Sequence, residues 1–280
     1  MRGRSIITWV TAAVLLGSGV VVNAADDRHL LRLNLKKYES FSYECDAEMT
    51  TTATYRNSQE EPQTSQTSMN MNVTLRVTDV VMGQATIECT VSELRVSQRD
   101  APSFQLTFVV DPTGRVISSN APSDDPIARL ISSTITPAEL IGVPLPKDPV
   151  RLGATWTTRK DDTITVEGAT GVVYTQGALT NTFAAIKDTF GLPCWVIESS
   201  TKNVRQHGDI SAEGLDLTVS GTGQQMGKSF VDVSTGMVIR QEQTMSLQST
   251  TRPVSDELAA QATVDIATSL KIILQRRAIR

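Results

Sequence analysis

Apolar and polar residues alternate through most of the chain, and this alternation predicts long β-strands. In residues 41–55 the apolar and small side chains occupy one parity and the polar ones the other, and the same pattern returns in residues 69–78. A period of two is expected for a strand with one buried and one solvated face. Residues 57–68 are polar and separate the two segments, so we expect an antiparallel hairpin.

The alternation continues beyond this hairpin and predicts a β-meander. Met82 and Gly83 indicate a turn before residues 85–91, and a change of parity near Glu93 predicts a β-bulge or a bend there. Another strand is predicted at residues 104–108. The sequence DPTG at residues 111–114 is typical of a tight turn. Residues 115–117 after it are expected to run back along the preceding strand.

The middle of the chain carries helix signals followed by prolines. Asp125 precedes Pro126, and residues 136–139 (TPAE) have the composition of a capping box. We therefore expect one or two short helices that end near Gly142. Prolines at positions 144, 146 and 149 predict an extended connector after them, because proline cannot continue a helix.

The remainder of the chain returns to β composition, with short strands separated by Gly, Asp or Asn. Residues 221–227 (GTGQQMG) are expected to form a hairpin. Residues 264–274 fit both a strand alternation and a helical stripe, and their Thr and Ile content favours the strand. Strands are predicted at residues 150–158, 163–166, 172–175, 181–186, 194–199, 215–219, 230–233 and 237–247.

Three sequence matches in the same order suggest that the halves are duplicated. Residues 110–117 (VDPTGRVI) resemble residues 231–239 (VDVSTGMVI), and residues 35–41 (LKKYESF) resemble residues 150–156 (VRLGATW). The pair IE at position 87 also recurs at position 197. The predicted fold is mainly β, from all-β to α+β, with two tandem antiparallel β-meander halves at residues 26–142 and 143–280 and the short helices between them. The two halves can share one core.

The N-terminal residues 1–25 have the composition of a signal peptide. Arg2 and Arg4 precede an apolar run at residues 6–22, and small residues follow it, so we expect cleavage after Ala24 or Ala25. An uncleaved membrane anchor is the alternative, because the run approaches the length that spans a bilayer. The protein is therefore predicted to be exported, periplasmic or extracellular, with no membrane span after cleavage.

The amino-acid composition and charge argue against one class of binding partner, nucleic acid. Hydrophobic residues make up 40% of the chain, aromatic residues only 5%. Without residues 1–25 the chain has 24 basic and 30 acidic residues, a net charge of −6. Nucleic acid is an unsuitable partner for such a surface, because its binding requires a basic footprint.

The loose pattern of the chain resembles an uncharacterised family of exported bacterial β-proteins. The resemblance rests on the opening LRLNLK at residues 31–36, the Met- and Thr-rich strands, a central motif with Lys147, Gly153 and Trp156, and the late turn at Thr235 and Gly236. It implies no known activity. An exported, curved antiparallel sheet with short helices is also similar in architecture to lipoprotein carriers of the LolA and LolB type, and this implies a fold rather than a function.

The search for catalytic chemistry finds no candidate. The chain has two histidines, which are too few for a multi-histidine metal centre, and it has no phosphate-binding loop or nucleophile elbow. No catalytic residue, metal ligand or cofactor is predicted. Cys45, Cys89 and Cys194 are either buried thiols or, with Cys194 left free, a Cys45–Cys89 disulfide.

These observations favour an exported, non-catalytic binding or carrier protein for a hydrophobic ligand, such as a lipid, or for an envelope protein. The alternative is a structural or interaction protein of the cell envelope with a closed core, and a hydrolase of unrecognised type is the third. Trp156 is expected to occupy in the second repeat the core position that Phe41 has in the first. The candidate ligand-facing apolar residues are Phe41, Tyr43, Met49, Met69, Met71, Leu75 and Trp156.

Overall fold

The protein is mainly β, as predicted. The computed structural model describes residues 27–56, 59, 61–120, 140–164, 169–212, 214–255 and 262–277. Within these residues it forms twelve strands. They are β1 (Ser40–Tyr55), β2 (Gln63–Val81), β3 (Gln84–Val96), β4 (Arg99–Asp100), β5 (Phe104–Val110), β6 (Val116–Ser119), β7 (Thr155–Ile164), β8 (Ala169–Thr189), β9 (Leu192–Ala212), β10 (Leu215–Asp232), β11 (Val238–Pro253) and β12 (Val264–Arg276).

All strands belong to one antiparallel sheet, so the two predicted halves are not separate sheets. The order across it is β6-β5-β3-β2-β1-β12-β11-β10-β9-β8-β7, with β4 paired to β3. Strand β12 lies between β1 and β11 and joins the halves through a register that runs from Tyr43 opposite Arg276 to Tyr55 opposite Val264. We call the end of the sheet where β1 begins and β2 ends the proximal end, and the opposite end the distal end.

The predicted alternation determines which face of the sheet is buried. In β1, Phe41, Tyr43, Cys45 and Ala47 are buried, and the residues between them are exposed. We call the face that carries these four side chains the inner face, and the opposite one the outer face. The same alternation in β2, which pairs with β1 as predicted, buries residues 69, 71, 73, 75 and 77.

The main core of the described residues lies against the inner face at the proximal end. Its cluster includes Phe108 of β5 and Phe183 of β8, which lie near opposite edges of the sheet, together with Leu31, Leu140 and Leu145 from segments outside the strands. Because both wings of the sheet contact the same cluster, the sheet curves around these two segments. Burial of apolar area at about 25 cal/mol per Å² makes this cluster the main stabilising element.

Two turns at the proximal end bind the N-terminal segment from opposite wings. The turn between β5 and β6 accepts a hydrogen bond at Pro112 O from Leu33 N (2.8 Å). The turn between β10 and β11 accepts one at Thr235 O from Asn34 N (2.8 Å). The same N-terminal segment pairs with the connector, through mutual hydrogen bonds between His29 and Val150. These contacts tie the two wings together.

The segments matched by sequence have the same local geometry in the structure. Tyr38 and Gly153 both have a positive φ, 73° and 81°. Tyr38 N donates to Val77 O and Gly153 N donates to Phe183 O, both at 2.8 Å. The Asp side chain at the start of each matched turn accepts a hydrogen bond from the backbone N two residues later, at Thr113 and Ser234. The halves are thus alike at these points, while their duplication stays a prediction.

Several details of the sequence interpretation are wrong. The short strands predicted in the second half are parts of longer ones, because β8 and β9 each extend over 21 residues. Their pairing continues past irregular positions through two register shifts. Residues 221–227 lie in the middle of β10 and form no hairpin. A Cβ on Gly223 would overlap the backbone of Ser246, so this glycine permits close approach of β10 and β11.

Other predicted details agree with the structure or fall on residues that the structure does not describe. The C-terminal segment is a strand, β12, and the bulge near Glu93 is present, with a register shift opposite it and a φ of 51° at that residue. The helices predicted between Asp125 and Gly142 lie outside the described residues except for their last three positions. Leu140 and Ile141 have helical backbone, but no helix is complete in the part of the chain that the structure describes.

Candidate functional site

Most of the predicted ligand-facing residues are packed in the core. Five of the seven belong to the main buried cluster and are at most 9% exposed: Phe41, Tyr43, Met69, Met71 and Leu75. Tyr43 also donates a hydrogen bond from its hydroxyl to Val238 O (3.0 Å), and burial raises the pKa of this phenol. Met49 lies farther along β1 and is 36% exposed. The structure therefore does not bring the seven residues together around an open space.

Trp156 is half-buried against the core and has a hydrogen bond of its own. Its indole Nε1 donates to Pro144 O (2.8 Å), which attaches β7 to the proline-containing connector. In the sequence match between the two halves, Trp156 corresponds to Phe41. Its packing against the core is compatible with the structural role that this match predicts.

We expect Trp156→Ala to lower the free energy of unfolding by about 2 kcal/mol, because it removes apolar burial and one hydrogen bond. Trp156→Phe should cost about 1 kcal/mol, since only the hydrogen bond and part of the area are lost. Urea denaturation followed by circular dichroism measures both. An Ala variant with unchanged stability but lower ligand affinity would return Trp156 to the set of ligand-facing residues.

The Cys45–Cys89 disulfide is excluded by the register of the strands. Cys45 lies opposite Met71 of β2, and Cys89 of β3 lies opposite Leu75, four residues further along. Two strand spacings and about 13 Å along the strand separate the cysteines, far beyond the roughly 7 Å limit between bridged Cα atoms. Burial raises the pKa of the Cys89 thiol to about 12, so it is an unreactive, packed thiol.

The inner face differs in polarity between the two halves. The buried polar residues among the described positions all lie in the second half, between Thr175 and Gln241. Three of their oxygen atoms have no hydrogen-bond partner: Thr175 Oγ1, Gln225 Oε1 and Gln241 Oε1. Such atoms are costly next to an apolar group, because they are desolvated without compensation. This part of the interior is therefore unsuited to a purely hydrophobic ligand.

An open groove lies on the outer face, at the distal end of the sheet. It has a volume of about 940 Å³ and crosses β8, β9, β10, β11, β12 and β1. The register places its main side chains on the same face, since Thr54, Asp265 and Thr250 are direct cross-strand neighbours, and so are Ser220, His207 and Tyr174. We call this feature the outer groove; its lining includes Thr52, Gln176, Arg205, Thr222 and Gln248.

One end of the outer groove is occupied by an internal ion pair. Arg56 donates two hydrogen bonds to Asp265, from Nε (2.7 Å) and from one terminal nitrogen (2.9 Å), and Thr250 Oγ1 donates a third (2.7 Å). The Arg56 hydrogen bond, followed by the Thr250 hydrogen bond, lowers the pKa of Asp265 to about 2. Asp265 is therefore ionised near neutral pH and neutralises Arg56.

The other end carries an aromatic pair beside a cation. The rings of Tyr174 and His207 are stacked, with centroids 5.5 Å apart and 28° between their planes. Tyr174 is 41% exposed, and each ring keeps one face that its partner does not cover. Arg205 lies two residues before His207 on the same face, and among the described residues no ion pair involves it.

A second depression continues the groove beyond His207. It has a volume of about 460 Å³ and shares His207 and Ser220 with the outer groove. Asp209 lines it, two residues beyond His207 on the same outer face. The arrangement thus places a cation, an aromatic pair and a carboxylate in a row along β9, in the order Arg205, His207, Asp209.

The described residues contain no cluster suited to catalysis by a metal. No three His, Cys, Asp or Glu side chains within them are placed to hold an ion. In the same part of the chain, no helix has the length and apolar composition needed to cross a membrane.

Sequence reasoning missed the outer groove. Its residues are scattered from position 52 to position 267, and most of them belong to the outward-facing parity of six strands, which in a sequence looks like an ordinary solvated face. The stacked pair was the strongest available signal, because Tyr174 and His207 are large rings at polar-parity positions. Searches against family models and curated proteins find no match to this chain.

Proposed function

We propose that this protein is an exported, non-catalytic binding protein of the cell envelope whose ligand lies in the outer groove. The observation that carries the proposal is an open groove of about 940 Å³ lined by hydroxyl, amide and charged side chains on six adjacent strands. This volume lies within the usual range of ligand sites. Long, paired strands hold the lining rigidly, and such a site is more precise than one built on loops.

A hydrophobic ligand in the interior is the less favoured form of the proposal. Such a ligand must displace Phe41, Tyr43 or their packed neighbours in the first half, or contact the unpartnered oxygens of Gln225 and Gln241 in the second. Both are costly, because packed cores tolerate little additional volume and buried acceptors require donors. A ligand on the outer face requires neither.

The chemistry of the outer groove fits a saccharide chain that carries acidic groups. Sugar hydroxyls both donate and accept, and they match the Thr, Ser and Gln side chains of the lining. The uncovered face of Tyr174 or His207 can pack against the C–H face of a sugar ring, because aromatic side chains are apolar on their faces. Arg205 is suited to a carboxylate, and Asp209 to a pair of neighbouring hydroxyls.

Titration calorimetry with a galacturonic acid hexamer and a neutral glucose hexamer tests this proposal. We expect the acidic hexamer to bind more tightly, and Arg205→Ala or Tyr174→Ala to weaken its binding by about tenfold each. Arg99→Ala is the matched control, because Arg99 is also exposed but lies on β4 in the other half. It should leave the affinity unchanged.

The outcomes distinguish the alternatives. Binding of neither hexamer, together with the absence of any ligand in the protein purified from its host, would favour the structural or interaction protein. Equal weakening by Arg99→Ala would show that binding is a general charge effect and not a property of the outer groove. A fatty acid retained by the purified protein would instead support the interior carrier.

Export is the part of the proposal that depends on residues 1–25. The basic residues Arg2 and Arg4 and the apolar run at 6–22 support it. The expected mature chain begins at Ala25 or Asp26. The intact mass of the protein isolated from its host measures this, and retention of residues 1–25 would indicate the membrane-anchored alternative.

A further inference from the structure

Two hairpin tips at the proximal end expose large apolar side chains in strained backbone positions. The β2–β3 turn has Met82 with φ 50° followed by Gly83, and the β8–β9 turn has Phe190 with φ 55° followed by Gly191. Two-residue turns of this kind prefer Asn or Asp at the first position, because few other side chains tolerate a positive φ. A bulky apolar residue at both tips is thus unfavourable for the turn itself.

These side chains make no compensating contribution to the core. Met82 is 99% exposed and Phe190 is 62% exposed, and both lie outside the main cluster. Tyr38, a third large residue with positive φ at the same end, is 69% exposed. Val81 and Leu192, which directly flank the two turns, are exposed apolar residues as well. Strained, exposed apolar residues that do nothing for the fold point to a role in binding.

The direction of the strands places both tips on the same side of the molecule. β2 and β8 end, and β3 and β9 begin, at the proximal end, since β1 and β7 begin there and neighbouring strands are antiparallel. The N-terminal segment also reaches this end, where His29 pairs with Val150 just before β7. In the sequence, the apolar run at residues 6–22 lies directly upstream of this segment. The point at which residues 1–25 are attached before cleavage is therefore at the same end of the sheet as the two apolar tips.

Charges at the tips do not select an oppositely charged protein surface. Lys37 pairs with Asp79 (3.1 Å) beside the first tip, and Lys187 and Asp188 are both exposed beside the second. Each tip is therefore a separate apolar protrusion, with one basic and one acidic residue beside it. Such protrusions suit the interfacial region of a bilayer, which accepts apolar side chains and needs no shape complementarity.

We propose that the proximal end docks on a lipid bilayer, with Met82 and Phe190 inserted into the interfacial region. This docking is independent of the ligand in the outer groove, which lies at the distal end of the same sheet. A docked molecule presents the groove away from the membrane.

A local fluorescence measurement on the full chain tests the proposal. A polarity-sensitive fluorophore is attached to a cysteine introduced at position 82, 190 or 226, the three native cysteines being buried. Met226 is the control, because it is 57% exposed but lies in the middle of β10. With vesicles of phosphatidylethanolamine and phosphatidylglycerol, we expect a severalfold increase and a blue shift at positions 82 and 190 and no change at 226. The readout is local, so it holds whether or not residues 1–25 are retained.

The same signal at all three positions, or none at the tips, would overturn the proposal. A second measurement uses the variants Met82→Asn and Phe190→Asn, which should keep or raise the melting temperature because Asn followed by Gly suits these turns. A melting temperature lowered by several degrees would show that the two side chains serve folding, and would also overturn it.

Discussion

Replacing Gly236 with alanine is expected to lower the free energy of unfolding by about 3–5 kcal/mol. Gly236 has φ 75°, which an alanine adopts only with strain, and its Cβ would overlap the carbonyl of Arg32. The neighbouring Thr235 carbonyl binds Asn34 N, so the segment that contains Arg32 cannot move away without losing this hydrogen bond. Urea denaturation followed by the fluorescence of Trp156 and Trp195 measures the loss.

Gly153 provides the matched control. Its φ is 81°, but a Cβ there meets nothing within 4 Å, so Gly153→Ala carries only the backbone strain of about 1 kcal/mol. The difference between the two variants isolates the contact between the β10–β11 turn and the N-terminal segment. If both variants lose the same stability, the N-terminal segment does not pass over Gly236 as described.

Asp232→Asn is expected to lower the free energy of unfolding by about 3 kcal/mol near neutral pH. The carboxylate is buried and accepts hydrogen bonds from Ser234 N (2.8 Å), Ser234 Oγ (2.7 Å) and Thr235 Oγ1 (3.0 Å). It also pairs with Arg276 (3.3 Å), whose side chain is 14% exposed and lies over the ring of Phe41. The Asn variant leaves this cation with little solvent and no opposite charge.

The effect of Asp232 depends on pH in a defined direction. Burial by itself raises the pKa of Asp232, but hydrogen bonds from Ser234 and Thr235 and the charge of Arg276 outweigh it and lower the pKa below the ordinary 3.8. A lowered pKa in the folded state means that the contribution is complete above the unfolded pKa and is lost as pH falls through the folded pKa. We expect the wild-type protein to lose more stability than Asp232→Asn between about pH 5 and pH 2.5.

Asp111→Asn is the control that separates the loss of the buried Asp232–Arg276 ion pair from the loss of turn hydrogen bonds alone. Asp111 has the matching position in the β5–β6 turn, but its partner Arg115 is 72% exposed, so the variant should cost only about 1 kcal/mol. Thermal unfolding across the pH range measures all three proteins. Parallel pH curves for the wild type and Asp232→Asn would contradict the proposed role of the buried carboxylate.

The fold class could be predicted because the alternation is local and covers many residues. β1 shows why: four consecutive odd positions are buried and the even positions between them are exposed, and any pairing of that strand preserves the pattern. The turns at Met82 and Asp111 were predictable for the same reason, since Gly, Pro and Asp determine a turn through their own conformational preferences. The packing of Trp156 against the core agrees with the matched segments in the sequence, whose duplication stays a prediction.

The length of the strands in the second half could not be predicted from local signals. Glycines usually interrupt strands, yet Gly177 and Gly223 lie within β8 and β10, where bulges and close strand approach accommodate them. The polar residues Gln225 and Gln241 also break the expected alternation, although both are buried. Only the register of the neighbouring strands shows that these residues occupy the inner face.

The outer groove and the exposed tips were missed for opposite reasons. Arg205 and Thr54 are more than 150 positions apart, and only the successive pairings from β1 through β12, β11 and β10 to β9 bring them to the same face of the sheet. Met82 and Phe190 were visible as residues before a turn glycine, but their exposure and positive φ were not. In our proposals, the two features serve different contacts at opposite ends of the same sheet.

The location of the ligand is the central claim, and amide chemical shifts of the isotope-labelled protein test it most directly. On titration with the galacturonic acid hexamer, we predict that the shifted amides cluster at residues 174–176, 205–209 and 220–222, on the three strands around Tyr174 and His207. The amides of Phe41, Met71 and Leu75 should not shift. Shifts centred on these core residues, with none around His207, would contradict the account and place the ligand in the interior.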